Sequence, residues 1–279
     1  MSTATRTIRA GDGRTVRIHD AGTRGTELPL VVFWHHGTPG IGQPPQPLLA
    51  LADALHLRLI GHDRPGYGGS DRLPGRPIAH AAADIADIAD ALGILRYAVL
   101  GYSGGGPHAL ACAAADPRVV ATATFASLAP RDAVGLDWYD GMIASGRHAL
   151  TSAEQGEPER RAAEADGYDP EFTARDLEAL DGEWEWLGRI AAGFGPDDLD
   201  GAIDDDLAYV RPWGVDLDAI ESPVLVTHGD ADGIVPVAHG RWLADALGAE
   251  LRVRPGDGHV AVLGGAADAL RWIAARASR

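Results

Sequence analysis

The residue pattern best suited to nucleophilic chemistry is Gly101-Tyr102-Ser103-Gly104-Gly105, set between an apolar run at Tyr97–Leu100 and a helical segment at Gly106–Ala115. A serine on a tight strand-to-helix turn has a strained backbone. Small residues two before and two after it let strand and helix approach without collision. The turn also puts the hydroxyl at a helix N-terminus, where amides and the helix dipole favour developing negative charge. Pro107 fits the first turn, because the amide hydrogen it lacks would have no helical partner there. Such a serine needs a base. His259, in the loop Gly256-Asp257-Gly258-His259 after the apolar run Leu251–Val253, has the reach of one. It also needs a carboxylate to orient the imidazole. Asp230 and Asp232 are both candidates, in Gly229-Asp230-Ala231-Asp232-Gly233-Ile234-Val235-Pro236 after the strand Pro223–Thr227. Ile234 stands where a calcium loop of similar spacing would need its next ligand, which excludes that alternative. Acyl transfer further requires two amide donors aimed at the oxyanion. One is expected from Gly104. The other is expected from Thr38, in His36-Gly37-Thr38-Pro39-Gly40 after the strand Leu30–His35, where Pro39 fixes its own φ and restricts Thr38.

The rest of the chain must position these loops. Apolar runs at Leu30–Trp34, Leu57–Ile60, Ala98–Leu100, Val119–Phe125, Val224–Val226 and Leu251–Val253 read as strands buried on both faces, which implies a parallel sheet. Residues 5–20 alternate polar and apolar around Gly11-Asp12-Gly13, the pattern of an antiparallel hairpin at the sheet edge. Helices are expected at 44–56, 79–93, 104–115, 236–247 and 260–276; in the second, Ile85, Ile88 and Leu92 recur at helical spacing. The alternation predicts an α/β sheet with right-handed crossovers. Residues 130–214 break the pattern and read as several short helices inserted between two sheet strands. The chain thus divides into core residues 1–129, a helical cap at 130–214, and core residues 215–279. The acidic run Asp197–Asp206 reads as a solvated helix face. Trp138, Trp184, Trp186 and Trp213 either pack or line a pocket, and Tyr102 lines the site or packs beneath it.

Over almost its whole length the sequence resembles the α/β-hydrolase superfamily of capped esterases, lactonases and epoxide-hydrolase-like enzymes. The likeness rests on the HGTPG loop, the Asp63-Arg64-Pro65-Gly66-Tyr67-Gly68-Gly69-Ser70 turn, the GYSGG elbow, GDADGIVP and the GDGH ending. The resemblance implies an α/β-hydrolase fold, a mostly parallel twisted sheet flanked by helices, with the inserted cap roofing a pocket. In relatives with G-x-x-D-x-x-V-P the acid is the third residue after the glycine, which maps to Asp232. The order Ser103, Asp232, His259 matches the family's catalytic order. Epoxide hydrolases and haloalkane dehalogenases carry Asp where this chain has Ser103. The elbow also differs from the GGSWGS type of proline iminopeptidases, and no HGGG loop is present. Asp63, Arg64 and Ser70 are expected to fix loops. The function implied is a cofactor-independent serine hydrolase acting on a small ester, lactone or thioester through an acyl-enzyme. Relatives with the same residues cleave C–C bonds or act as cofactor-free haloperoxidases, and no feature of the sequence separates these reactions. Some members of the fold sense a small ligand in the same pocket, a reading against which the complete set of Ser103, Asp232 and His259 argues.

Composition narrows the alternatives. The 279 residues, 46% hydrophobic, suffice for one large core, or one core with a modest appended domain. A net charge of −16, with no basic cluster longer than Arg160–Arg161, argues against a nucleic-acid partner. All 24 basic residues are arginine, which removes the Walker A loop, the pyridoxal Schiff base and the Ser–Lys dyad. The lone Cys112 forms no intrachain disulfide and is expected to be buried. No apolar stretch has the length of a signal segment or a membrane span, so a cytoplasmic monomer or homodimer with a small-molecule substrate is expected, and no membrane partner. His35 lacks the companions of a zinc site, and His62, His108 and His228 read as satisfied core or edge histidines.

Overall fold

The computed structural model describes residues 3–22, 29–195 and 198–277. Among them, eight strands form one sheet: β1 (Ala4–Arg9), β2 (Thr15–Asp20), β3 (Leu30–His35), β4 (Leu57–His62), β5 (Tyr97–Tyr102), β6 (Val119–Phe125), β7 (Val224–Gly229) and β8 (Glu250–Arg254). Their spatial order is β1-β2-β4-β3-β5-β6-β7-β8. The β1–β2 hairpin is antiparallel and joins β4 antiparallel, and every other pairing is parallel, as the continuous apolar runs imply.

Helices α1 (Leu49–Ala54), α2 (His80–Leu92) and α3 (Gly105–Ala115) follow the early strands. Between β6 and β7 come α4 (Ala144–Gln155), α5 (Glu157–Ala163), α6 (Ala174–Asp181), α7 (Glu185–Ala191) and α8 (Asp200–Tyr209). The chain closes with α9 (Val237–Leu247), and with α10 (Ala266–Ala277) after β8. Alternate strand residues enter separate cores. Trp34, Leu59, Leu100 and Phe125 meet Leu270 and Ile273 of α10 on one face, while Phe33, Ile60 and Val99 meet Ile85, Ile88 and Cys112 on the other. No helix among the described residues is long and apolar enough to cross a membrane.

Two expectations need correction. The acidic run is no solvated face: Asp204 and Asp205 are buried, and Asp206 is mostly so. Arginines from distant segments neutralise them: Arg72 Nε lies 2.8 Å from Asp204, Arg64 Nη2 lies 2.7 Å from Asp205 and Arg160 Nε lies 2.6 Å from Asp206. Only partners remote in sequence make that burial tolerable. Asp198 is exposed as expected, Asp200 is half-buried and pairs with Arg161 and Arg72, and Asp197 lies outside the described residues. His62 is the second correction. It is buried with neither ring nitrogen bonded to a described residue, and burial pushes its pKa down to about 4, so it is held neutral.

Candidate active site

Strand register assembles the site. His35 of β3 pairs with Gly101 of β5, which sets the HGTPG loop beside the elbow. Gly229 of β7 pairs with Arg254 of β8, which sets the Asp232 turn beside the His259 loop. Ser103, between β5 and α3, has φ +52°, the left-handed conformation expected of a strained elbow. A Cβ on Gly101 would lie 2.5 Å from the Gly105 carbonyl oxygen, and one on Gly105 would collide with that of His35, so both glycines are required by close approach.

Ser103, His259 and Asp232 come together in line. Ser103 Oγ is 2.9 Å from His259 Nε2, and His259 Nδ1 is 2.8 Å from Asp232 Oδ2. The carboxylate on Nδ1 fixes a tautomer in which Nδ1–H donates to Asp232 and Nε2 is left to accept from the serine. Asp232 Oδ1 accepts the amides of Ile234 and Val235, both at 2.9 Å, which locks the carboxylate. Asp230, the other acidic candidate, instead accepts the Gly256 amide at 2.7 Å and ties the two loops together. Buried His228 lies 3.6 Å from Asp232 Oδ2, but burial keeps it neutral and its Nε2–H donates to the Val235 carbonyl at 2.7 Å. Tyr102 packs beneath, its ring 5.3 Å from that of His259 and stacked on Trp34.

The Thr38 side chain lies against Gly104, and both line the same cavity as Ser103. A Cβ on Gly37 would stand 3.5 Å from that of Ser103, and one on Gly104 would collide with Thr38 Oγ1 and the Tyr209 hydroxyl. The Thr38 hydroxyl donates to Asp205 Oδ2 at 2.8 Å, and the Tyr209 hydroxyl donates to the Gly104 carbonyl at 3.1 Å. Arg64 donates to the His36 and Gly37 carbonyls and to Asp205. Arg76 pairs with the other Asp205 oxygen, and the Tyr67 hydroxyl donates to the carboxylate at 2.7 Å. Burial alone would raise the Asp205 pKa, but the two guanidinium charges hold it well below the usual carboxylate range. The loop that carries Thr38 is thus fastened to helix α8 through one buried ion cluster.

A cavity of about 290 Å³ opens beside Ser103. Ala202, Asp206 and Tyr209 of α8 line it together with Leu199 just before that helix, and Asp206, Arg160 and Glu164 add charge to an otherwise largely apolar wall. None of the four tryptophans of the inserted segment lines it. Trp138, for example, is buried against His239 and donates to the Ala129 carbonyl. A larger depression, about 750 Å³, lies at the opposite ends of the strands around Arg96, Asp116 and Pro223, but its wall holds no histidine. Ser103 and His259 converge at the carboxyl ends of the strands, where crossover loops meet in open α/β sheets. Among the described residues no group of three or more His, Cys, Asp or Glu is placed to hold a metal ion.

The three side chains that meet here, Ser103, His259 and Asp232, each lie in a short local motif that the sequence singles out, although the motif of Asp232 also holds Asp230. Sequence reasoning missed Asp205 and Asp176, two carboxylates of the inserted helices that reach these loops from elsewhere in the chain. The capping signal Thr173-x-x-Asp176 was the trace of the second.

Residues 29–145 match the α/β hydrolase fold family. The chain is 28% identical over 243 residues to a non-heme chloroperoxidase of Streptomyces lividans, covering 83% of this chain and 84% of that protein. Among solved structures it resembles the enol-lactonase of Burkholderia xenovorans LB400 (TM-score 0.72, 23% identity, 98% and 100% of the two chains). It also resembles a thermophilic esterase of Thermogutta terrifontis (TM-score 0.69, 22% identity, 97% and 96%). The fold is that of the α/β hydrolases, and the family match falls on its first half.

Proposed function

We propose that the protein is a serine hydrolase that cleaves a small carboxylic ester, lactone or thioester through an acyl-enzyme. The observation that carries this reading is the unbroken line from the Ser103 hydroxyl to His259 to Asp232, at 2.9 and 2.8 Å. Ser103 Oγ attacks the carbonyl carbon while its proton passes to His259 Nε2, and Asp232 stabilises the imidazolium. The oxyanion faces the Thr38 and Gly104 amides. Collapse breaks the bond to the alkoxide or thiolate, which leaves with the proton from His259. Water then attacks the acyl-enzyme, gives its proton to His259, and Ser103 is regenerated as the carboxylic acid departs. The small, largely apolar cavity beside the nucleophile supports a compact substrate.

Steady-state hydrolysis of p-nitrophenyl butyrate tests the reading. Ser103→Ala and His259→Ala should each lower kcat by about 10⁴-fold or more, and Asp232→Asn by about 10⁴-fold. A Ser103→Ala variant that kept wild-type turnover would refute it. The similarity to a chloroperoxidase favours a second reading, haloperoxidase-type chemistry by the same three residues. Ser103-dependent bromination of a dye with peroxide and bromide, without ester cleavage, would favour that instead.

A further inference from the structure

We infer that Asp176, on the inserted helix α6, is a positioning residue for His259, holding the imidazole in reach of Ser103; the inference rests on the hydrolase reading above. Asp176 is 2% exposed, and its Oδ1 accepts the amides of Val260 at 2.7 Å and Ala261 at 2.8 Å. These amides open the short helical turn Ala261–Gly265 that follows the base. Such leading amides have no partner inside their own helix and ordinarily find one in a capping side chain just before it. Val260, at the cap position, has no acceptor to offer, and a carboxylate 84 residues earlier in the chain supplies one.

The same carboxylate also touches the other side of the base. A Cβ on Gly258 would collide with it, so glycine there lets Asp176 approach. Residues 258, 260 and 261 are therefore all fixed against one side chain, and His259 lies between them. The neighbouring Arg175 adds to the grip by donating to the Pro255 carbonyl at 2.7 Å and pairing with Asp257 at 2.7 Å. The other oxygen of Asp176 belongs to a capping box: it accepts from the Thr173 amide and hydroxyl at 3.1 and 2.8 Å, and Thr173 Oγ1 accepts the Asp176 amide. One carboxylate thus caps its own helix and the turn of the base. Displacing a base by about 1 Å costs on the order of 10²-fold in rate, so the predicted effect falls on kcat and not on substrate binding.

Three variants separate positioning from helix stability, read by kcat and KM for p-nitrophenyl butyrate, by thermal midpoint, and by the low-field proton resonance of His259 Nδ1–H, assigned with His259→Gln. Asp176→Ala should lower kcat by about 10- to 100-fold, with KM nearly unchanged and the resonance broadened or lost. Thr173→Ala removes the α6 cap but leaves Oδ1 on the turn; it should lower the midpoint yet keep kcat and the resonance. Asp176→Asn, whose one oxygen can still face the turn, should lose only about fivefold. Should Asp176→Ala not fold, the Asn and Thr173→Ala variants carry the same comparison. Wild-type kcat in Asp176→Ala, or equal kcat losses in the Asp176 and Thr173 variants, would overturn the inference. A wild type that shows the resonance but no turnover contradicts the hydrolase reading alone, since the resonance still reports the effect of Asp176. A wild type with neither contradicts both.

Discussion

Asp205 and Asp206 are adjacent in sequence and titrate in opposite directions. Asp205 sits between Arg64 and Arg76, whose charges outweigh its burial. For Asp206 burial dominates, and with only Arg160 in opposition its pKa is pushed up to about 6 from an ordinary 3.8. A carboxyl whose folded-state pKa is raised contributes stability that is complete below its unfolded pKa and is lost as pH rises through the folded one. For Asp206 that loss spans about pH 4 to above 6. Asp206→Asn removes this ionisation while Arg160, Glu164 and Asp205 remain. The stability of the variant relative to wild type should therefore rise between pH 4.5 and 7.5, measured by urea unfolding at each pH. A difference that stays flat or falls across that range would show that Asp206 does not titrate as described.

Helices and loops were legible to different depths. The elbow, the HGTPG loop and the GDGH turn are read from consecutive residues whose glycines answer local steric demands, so their element types follow from sequence. The choice between Asp230 and Asp232 rested on resemblance alone, because two carboxylates two residues apart differ only in which way the turn points them. The reading of α8 failed for a deeper reason. Its acidic residues are buried by arginines such as Arg64, 141 positions away, and no local pattern announces such a partner. This element also gives a stability prediction. Asp205→Leu leaves the Arg64 and Arg76 charges buried without their shared anion, which should cost about 3–5 kcal/mol. Equilibrium denaturation would measure this, and a loss below about 1 kcal/mol would mean that α8 is held by apolar packing alone.

Across the whole molecule, three strand ends must deliver three side chains to one point. Ser103 follows β5, Asp232 follows β7 and His259 follows β8, and parallel pairing brings all three ends to the same edge of the sheet. The parallel sheet expected from the apolar runs already puts these strand ends on one edge, whereas the way the inserted helices brace them through Asp176 and Asp205 could be seen only with the chain folded. Treating the folded protein with a fluorophosphonate probe, then finding the site of modification by intact mass and peptide mapping, tests the convergence directly. The expected result is a single adduct on Ser103, abolished by prior heat unfolding and strongly slowed in His259→Gln. An unmodified protein, or an adduct at any residue other than Ser103, would contradict the account.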